Sequence, residues 1–361
     1  MGPCLVTLRQ GHVFDITTKS APTMRDLMEQ ADIPAFVAAI PGEDIGSLIS
    51  IVAASVEASV DATRLLAPCD LQAVKACGVT FARSMIERVI EERAGGDPAR
   101  ATEIRETIAR MMGDSLRDLV PGSPAAAKVK AVLQAEGLWS QYLEVGIGPD
   151  AEVFTKAQPM SAVGWGASVG LHPISKWNNP EPEVVLVVDS TGRIVGATLG
   201  NDVNLRDVEG RSALLLGKAK DNNAAASLGP FIRVFDAGFT LDTVRRMELS
   251  LTVTGSDGFT LTGQSSMSEI SRDPADLVAQ TRGRHHQYPD GLVLYCGTMF
   301  SPIQDRDGPG QGFTHHLGDI VTVAAPALGS LTNTVRLSTE APEWAFGTRA
   351  LMTNLAERGL L

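Results

Sequence analysis

The stretch Pro180–Val203 reads PEPEVVLVVDSTGRIVGATLGNDV and contains two runs of branched apolar residues around a short polar turn. This pattern predicts a β-hairpin, because such residues favour strands and the segment DSTG suits a turn. Asp189 at its first position and Gly192 at its last are typical of a type I turn. Pairing of these two residues places Glu183 opposite Thr198. Both strands carry Val and Leu on both faces, so the acidic residues at their ends stand out.

Three carboxylates are predicted to converge at the open end of this hairpin. Glu181 and Glu183 are two residues apart and therefore point to one face of their strand. In the same register Asp202 returns to that face from the opposite strand. Like charges at this range repel, which favours a bound cation. Oxygen ligands without histidine or cysteine suit a hard ion such as Mg²⁺, and Mn²⁺ or Ca²⁺ fits the same set. Solvated acids at a strand end are the alternative at this point.

The composition excludes several classes of partner. The 361 residues have a formal net charge of −11 and contain no dense run of Lys and Arg, so no nucleic-acid partner is expected. The four cysteines are scattered without a CxxC pair, as is typical of thiols in a reducing compartment. The N-terminus lacks a signal-peptide pattern, and no stretch reaches 18 uncharged apolar residues. A cytoplasmic protein without a membrane partner is predicted.

The chain is predicted to have a small N-terminal domain, residues 1–68, and a larger domain, residues 69–361. The first contains a strand–turn–strand pattern and helical patterns, one of them at residues 44–59. A helical region is predicted from residue 82 to about 141, because residues 82–95 and 99–120 carry apolar residues at spacings of three and four. These helices either pack on the outside of the domain or form an insertion that covers an active site. Short strands dominate after residue 148 without alternating helices, so the predicted fold class is α+β, mostly β.

Several motifs, in the order in which they occur, resemble those of the fumarylacetoacetate hydrolase family. They are Phe154-Thr-Lys156, Pro180-Glu-Pro-Glu183, Gly200-Asn-Asp202, Gly217-Lys-Ala-Lys220, Gly229-Pro230, Asp290-Gly291, Gly297-Thr298 and Gly318-Asp319. The resemblance implies a fumarylacetoacetate-hydrolase-like mixed β-sandwich roll and 2-oxo acids as substrates. It also implies a Mg²⁺ or Mn²⁺ site formed by Glu181, Glu183 and Asp202, and a homodimer or higher homo-oligomer.

The resemblance also narrows the reaction. Family members that hydrolyse a carbon–carbon bond generally activate water with a His–Glu pair, but this chain has no histidine between His12 and His172. Without that general base, hydrolysis is disfavoured. The stretches Glu152–Ala157 and Trp177–Glu183 are similar to the branch that dehydrates 2-keto-3-deoxy sugar acids. We therefore predict a metal-dependent dehydratase of pentose catabolism that converts a 2-keto-3-deoxypentonate into 2-oxoglutarate semialdehyde. A hydrolase or decarboxylase of a diketo or 2-oxo acid is the alternative.

The same branch implies two catalytic residues beside the metal, at the positions of Glu152 and Lys220. Lys220 would take a proton from C3 of a substrate that chelates the metal through its carboxylate and ketone. Glu152 would protonate the departing C4 hydroxyl, which requires a raised pKa. The two roles could be shared or reversed, and Lys218 is a second candidate for the base. The predicted substrate contacts are Ser84, Arg88, Lys156 and Thr298.

Overall fold

The computed structural model describes residues 2–57, 62–95, 97–101, 103–104, 119–135, 137 and 139–361, except for the side chains of residues 82–84. Its strands are β1 (Val6–Arg9), β2 (His12–Asp15), β3 (Glu43–Ser47), β4 (Ala73–Gly78), β5 (Glu152–Ala157), β6 (Ser168–Leu171), β7 (Pro182–Val188), β8 (Ile194–Asp202), β9 (Ala226–Val234), β10 (Glu248–Thr254), β11 (Thr260–Ser266), β12 (Leu292–Tyr295), β13 (Ile320–Ala325) and β14 (Gly329–Leu337). They form three sheets with the orders β1-β2-β3, β11-β10-β13-β14-β6 and β5-β4-β12-β7-β8-β9.

Helices occur among these strands along the chain. They are α1 (Met24–Met28), α2 (Ile33–Ala39), α3 (Leu48–Glu57), α4 (Ala82–Ala94), α5 (Pro124–Ala135), α6 (Gln141–Ile147), α7 (Arg206–Glu209), α8 (Leu216–Lys220), α9 (Leu241–Val244), α10 (Pro274–Thr281) and α11 (Thr348–Glu357), with 3₁₀ turns at Ala213–Leu215 and Met267–Glu269. Within the described ranges, no helix is long and apolar enough to cross a membrane.

Strands β7 and β8 form the predicted hairpin, but the predicted register is wrong. Gly192 has a φ of 95°, and its N–H donates to the carbonyl of Asp189 at 3.0 Å. A left-handed glycine after such a turn lengthens the hairpin loop by one residue, and a bulge in the strands shifts the pairing once more. Glu183 therefore lies opposite Gly200 instead of Thr198. The shift of two residues leaves each side chain on its predicted face, because strand side chains alternate with a period of two.

The six-stranded and five-stranded sheets pack face to face. Val184 and Leu186 of β7 lie in one hydrophobic core with Leu251 of β10 and Val323 of β13. These residues alternate with others along their strands, so each sheet contributes one apolar face to the interior. The sandwich of mixed sheets with additional helices confirms the predicted α+β, mostly β fold.

The opposite face of the six-stranded sheet is covered by the N-terminal segment. Leu5 and Ile16 of this segment share a second hydrophobic cluster with Val185 of β7. The hairpin β7–β8 is therefore buried on both faces, as its apolar composition requires. The division into domains at residue 68 stays a prediction.

Two segments predicted to be helical differ in how well they agree with the structure. The helix predicted at residues 44–59 is wrong at its start, because residues 44–47 belong to β3, which pairs with β2. Gly46 there has a φ of 129°, which a right-handed helix does not allow. The helix predicted at residues 82–95 is confirmed as α4, and α5 lies within the predicted helical region; both share a cluster with α6. The helical pattern at residues 99–120 lies largely outside the described residues.

Candidate active site

The three predicted ligand carboxylates lie together at the open end of the β7–β8 hairpin. The N–H of Asp202 donates to the carbonyl of Glu181 at 3.0 Å, so these two residues face each other directly. Glu181, Glu183 and Asp202 each offer an oxygen atom within 4.8 Å of the other two. All three are buried, with exposures of 2%, 0% and 1%. Burial of three acids this close together requires compensating positive charge.

Three buried cations provide that charge. Lys220 forms an ion pair with Glu181, and its Nζ lies 3.2 Å from Oδ2 of Asp202. The Nζ of Lys156 lies 2.9 Å from Oδ1 of Asp202. The guanidinium group of Arg88, on α4, donates to Oε1 of Glu181. The cluster thus brings together three carboxylates and three cations in one buried site, five of them from five different elements and one, Glu181, from the residue just before β7.

Glu183 differs from the other two acids in its partners. Its Oε2 accepts a hydrogen bond from the N–H of Gly297 at 2.7 Å. Its Oε1 is buried and has no hydrogen-bond partner in the described part of the chain. Gly297 has a φ of 98°, and a Cβ atom there would lie 2.0 Å from Oγ1 of Thr80, so only glycine can bring its N–H to Glu183. An unpaired buried carboxylate oxygen beside two further acids fits a hard divalent cation.

Burial and neighbouring charge separate the pKa values of Glu183 and Asp202. Burial raises the pKa of Glu183 well above its usual range, and the negative charge of Asp202 raises it further. Burial also acts to raise the pKa of Asp202, but Lys156 and Lys220 outweigh it and lower that pKa. Glu183 therefore holds its proton more strongly than Asp202, and a cation that binds both must displace this proton.

Glu152 lines a cavity together with two of these acids, Glu181 and Asp202. It begins β5, opposite Gly78 of β4, and a Cβ atom on Gly78 would lie 1.9 Å from its Oε2. Burial, followed by the negative charge of Glu209, raises the pKa of Glu152 to about 7. The carboxyl group therefore has the raised pKa that a proton donor needs. The same cavity is lined by Arg88, Glu152, Glu181, Asp202, Glu209, Lys220 and Thr298.

A buried network that the sequence did not reveal connects α4 to this cavity. Arg88 donates to Oε2 of Glu91 at 2.6 Å and lies 3.4 Å from Oε2 of Glu209. Oε1 of Glu91 lies 3.1 Å from Nε of Arg206. Arg206 begins α7, and its distance from α4 in the sequence gave no signal of contact. Glu91 follows Arg88 by three residues on one helix face, which is the pattern that could have suggested the pair.

The two candidate lysines and Thr298 can also be located in the structure. Lys220 is buried, with an exposure of 3%, whereas Lys218 on the same short helix is exposed. Thr298 lines the cavity, and its hydroxyl donates to the carbonyl of Phe300 at 3.1 Å. The side chain of Ser84 lies outside the described residues. The structure therefore favours Lys220 over Lys218 as the lysine beside the acids.

Comparison with known families identifies the class of protein. The family model described as "Fumarylacetoacetate (FAA) hydrolase C-terminal" matches residues 146–336, which is more than half of the chain. The chain belongs to the fumarylacetoacetate hydrolase family, so the resemblance of its motifs is confirmed. The match includes all three carboxylates, Glu152 and Lys220.

Two individual relatives of the chain are both named as dehydratases. Over 194 residues the chain is 31% identical to a "Probable 2-keto-3-deoxyxylonate dehydratase" of Haloferax volcanii. This alignment covers 54% of this chain and 63% of that protein. Over 185 residues it is 28% identical to the 2-dehydro-3-deoxy-D-arabinonate dehydratase of Saccharolobus solfataricus. This second alignment covers 51% of this chain and 58% of that protein. The matches thus span less than two thirds of either relative.

A solved structure supports the fold over nearly the whole chain. It is a 2-keto-3-deoxy-D-arabinonate dehydratase complexed with magnesium and 2,5-dioxopentanoate, with a TM-score of 0.61 at 19% identity. The superposition covers 92% of this chain and 94% of that one. It therefore extends the likeness of fold beyond residues 146–336 to the N-terminal segment.

Proposed function

We propose that the chain is a metal-dependent dehydratase, a hydro-lyase that converts a 2-keto-3-deoxypentonate into 2-oxoglutarate semialdehyde in pentose catabolism. The observation that carries the proposal is the placement of Lys220 and Glu152 around one cavity that Glu181 and Asp202 also line. An acid with a raised pKa and a lysine beside a cation site suit the removal of water from a 2-oxo acid. The two dehydratases among the relatives support the same reaction.

Glu181, Glu183 and Asp202 would hold the metal, which we propose to be Mg²⁺, with Mn²⁺ as a substitute. The all-oxygen ligand set and the unpaired Oε1 of Glu183 fit such an ion. A divalent cation in this site supplies positive charge that polarises the 2-keto group of the substrate and makes the C3 protons more acidic. The complex of magnesium with the dioxo acid in the neighbouring structure is consistent with this assignment.

Two side chains would carry the proton transfers. Lys220 takes one proton from C3, the C4–O bond breaks, and Glu152 gives its proton to the departing hydroxyl, which leaves as water. Transfer of a proton from C5 to C3 then shifts the C3–C4 double bond to C4–C5. The resulting enol gains a proton at C4 and loses its hydroxyl proton, which gives the aldehyde of 2-oxoglutarate semialdehyde. Lys220 lies on the carboxylate side of the cavity and is held over the ring of Phe154 at 5.7 Å. Its position on a short helix fixes the amine relative to the ligands.

The substrate contacts would come from two sides of the cavity. Arg88 brings a buried positive charge from α4, which suits a substrate carboxylate or hydroxyl. Thr298 offers a hydroxyl group from the loop that follows β12. Ser84 remains a predicted contact on α4. A homo-oligomer and a cytoplasmic location stay predictions from the sequence.

Turnover assays with the metal-depleted protein test the proposal. The protein is treated with a chelator, reconstituted with Mg²⁺ or Mn²⁺ and supplied with a 2-keto-3-deoxypentonate, and the aldehyde is read with a coupled aldehyde dehydrogenase. Metal-dependent formation of 2-oxoglutarate semialdehyde is the expected result. Release of pyruvate from an acylpyruvate, or of CO₂ from oxaloacetate, without any action on the sugar acid overturns the proposal in favour of a hydrolase or decarboxylase.

A matched pair of variants tests whether this site performs the reaction. Glu181→Gln should reduce kcat/KM by at least about 100-fold, because even the loss of an outer partner of a metal ligand costs about 10–100-fold. Glu248→Gln makes the same change at an exposed position on β10 and should leave turnover unchanged. A folded Glu181→Gln variant with full activity would place the chemistry elsewhere.

A further inference from the structure

Lys156 makes contacts that differ from those of a substrate-binding lysine. Its side chain is fully buried, with an exposure of 0%. The ammonium group contacts Oδ1 of Asp202 at 2.9 Å, the carbonyl of Val203 at 3.3 Å and the carbonyl of Lys220. Lysine is a donor with no acceptor capacity, and two of these contacts are hydrogen bonds to backbone carbonyl groups, whereas Asp202 is an ion-pair partner.

The three contacts join two parts of the site that are distant in sequence. Asp202 ends β8, and Val203 follows it directly, so Lys156 contacts both the side chain and the adjoining backbone of this acid. Lys220 is the last residue of α8, and its carbonyl group has no acceptor role within that helix. Lys156 therefore fixes the end of the helix whose final side chain points at the carboxylates.

We propose that Lys156 is a positioning residue, which holds the carboxylate of Asp202 and the backbone of Lys220 in one fixed arrangement instead of contacting the substrate. This inference rests on the proposed function where it treats Asp202 as a metal ligand and Lys220 as the base. Under this proposal, three residues on one face of β5 have different roles. Glu152 faces the cavity, Phe154 contacts Lys220, and Lys156 lies between Asp202 and α8.

Loss of the positive charge of Lys156 and loss of its contacts predict opposite effects on metal affinity. Lys156→Met removes a positive charge beside the metal ligands, and repulsion alone predicts that a cation then binds more tightly. Loss of the ion pair also frees the carboxylate of Asp202 to move, and loss of an outer partner typically weakens metal binding about 10–100-fold. The proposal requires the second effect to exceed the first.

Mn²⁺ binding to the metal-depleted protein, measured by electron paramagnetic resonance without substrate, distinguishes the two effects. Lys156→Met should bind Mn²⁺ about 10–100-fold more weakly than the unaltered protein. At saturating Mn²⁺, kcat should still be about 100-fold low, because Lys220 has lost the contact that orients its helix. Lys75→Met is the matched control, since Lys75 lies on the neighbouring strand β4, is partly exposed and donates to Oγ1 of Thr155. It should change neither quantity.

A double-mutant cycle separates positioning from a general effect on the fold. In an Asp202→Asn background, Lys156→Met should no longer weaken Mn²⁺ binding, because its route through Asp202 is gone. Equal weakening in both backgrounds, or tighter binding in the single variant, overturns the inference. If Lys156→Met does not fold by circular dichroism, Lys156→Gln replaces it with the same expected direction.

The Mn²⁺-binding outcomes are independent of the substrate. A protein that binds Mn²⁺ but dehydrates no sugar acid contradicts the proposed function, and the Mn²⁺ measurements still decide the role of Lys156. Unchanged Mn²⁺ affinity in Lys156→Met, together with normal dehydration by the unaltered protein, contradicts only the positioning role.

Discussion

Gly78 controls the position of the proposed proton donor. A Cβ atom at this residue would lie 1.9 Å from Oε2 of Glu152, which is the far end of a flexible side chain. Gly78→Ala should therefore leave the fold intact but push the Glu152 carboxyl group out of place. Because a general acid contributes about 10²–10⁴-fold to a rate, kcat should fall by about 100-fold or more. Steady-state kinetics together with circular dichroism measure the two effects.

Gly217→Ala is the control for this substitution. A Cβ atom on Gly217, in the same short helix as Lys220, meets no other atom within 4 Å. Alanine in place of glycine in a helix typically stabilises by about 0.5–1 kcal/mol, so the variant should fold and retain its kcat. Full activity of Gly78→Ala would show that Glu152 is not needed where the structure places it.

The pKa of Glu152 predicts an alkaline limit to activity. Burial, and then the charge of Glu209, raises this pKa to about 7. A proton donor acts in its protonated form, so kcat should be highest below the pKa and fall about tenfold per pH unit above it. The pH dependence of kcat at saturating metal and substrate measures this limb. In Glu152→Gln the limb should disappear together with most of the activity.

Glu209 offers a second check of the same limb. Its negative charge helps to raise the pKa of Glu152, so Glu209→Gln should lower that pKa and move the alkaline limb to lower pH. A limb that stays in place in Glu209→Gln and Glu152→Gln alike would assign the titration to another group. The shift itself is the informative quantity, because it does not depend on the absolute rate.

Among the elements, α4 depends on buried ion pairs for its attachment to the site. Glu91 is 2% exposed and lies 2.6 Å from Arg88 and 3.1 Å from Arg206. Glu91→Gln removes one charge from a buried cluster, which typically costs about 3–5 kcal/mol in the free energy of unfolding. Urea denaturation measures this loss. KM should also rise, because Arg88 then lacks one of the partners that hold it beside the cavity.

Glu92→Gln changes the next residue of the same helix and is the matched control. Glu92 is only partly buried, and substitutions of this kind usually alter stability by no more than about 0.5 kcal/mol. Similar losses in the two variants would mean that the buried network does not attach α4 to the site.

The elements also show which features a sequence pattern can reveal. Strands β7 and β8 were predictable because their long apolar runs are buried on both faces. Their register was not, since a left-handed Gly192 and a bulge each shift it by one residue, and neither has a strong sequence signal. The two shifts together preserve side-chain parity, so Glu181, Glu183 and Asp202 still meet. A single shift would have turned one strand over.

The sequence did not predict the contacts between elements that are distant along the chain. Glu91 and Glu209 enter the site from α4 and α7, and each depends on how these helices pack against the sheet. The family resemblance identified Lys156, but only its burial against Asp202 and α8 suggests the positioning role. Local patterns thus predicted the ligands, and the tertiary arrangement revealed their partners.

For the whole molecule, the buried carboxylates predict that metal binding and folding are coupled. A cation that binds only the folded state at 100 times its Kd adds about 2.7 kcal/mol to the free energy of unfolding. With an unfolding entropy of about 2.1 cal/mol/K per residue, this raises the Tm of a chain of 361 residues by about 3–4 °C. The increase should grow with pH, because the raised pKa of Glu183 makes its proton compete with the cation. Calorimetry with and without Mg²⁺ at two pH values measures it. Glu181→Gln should lose the increase, and an equal increase in that variant would show that Mg²⁺ stabilises the protein from another site.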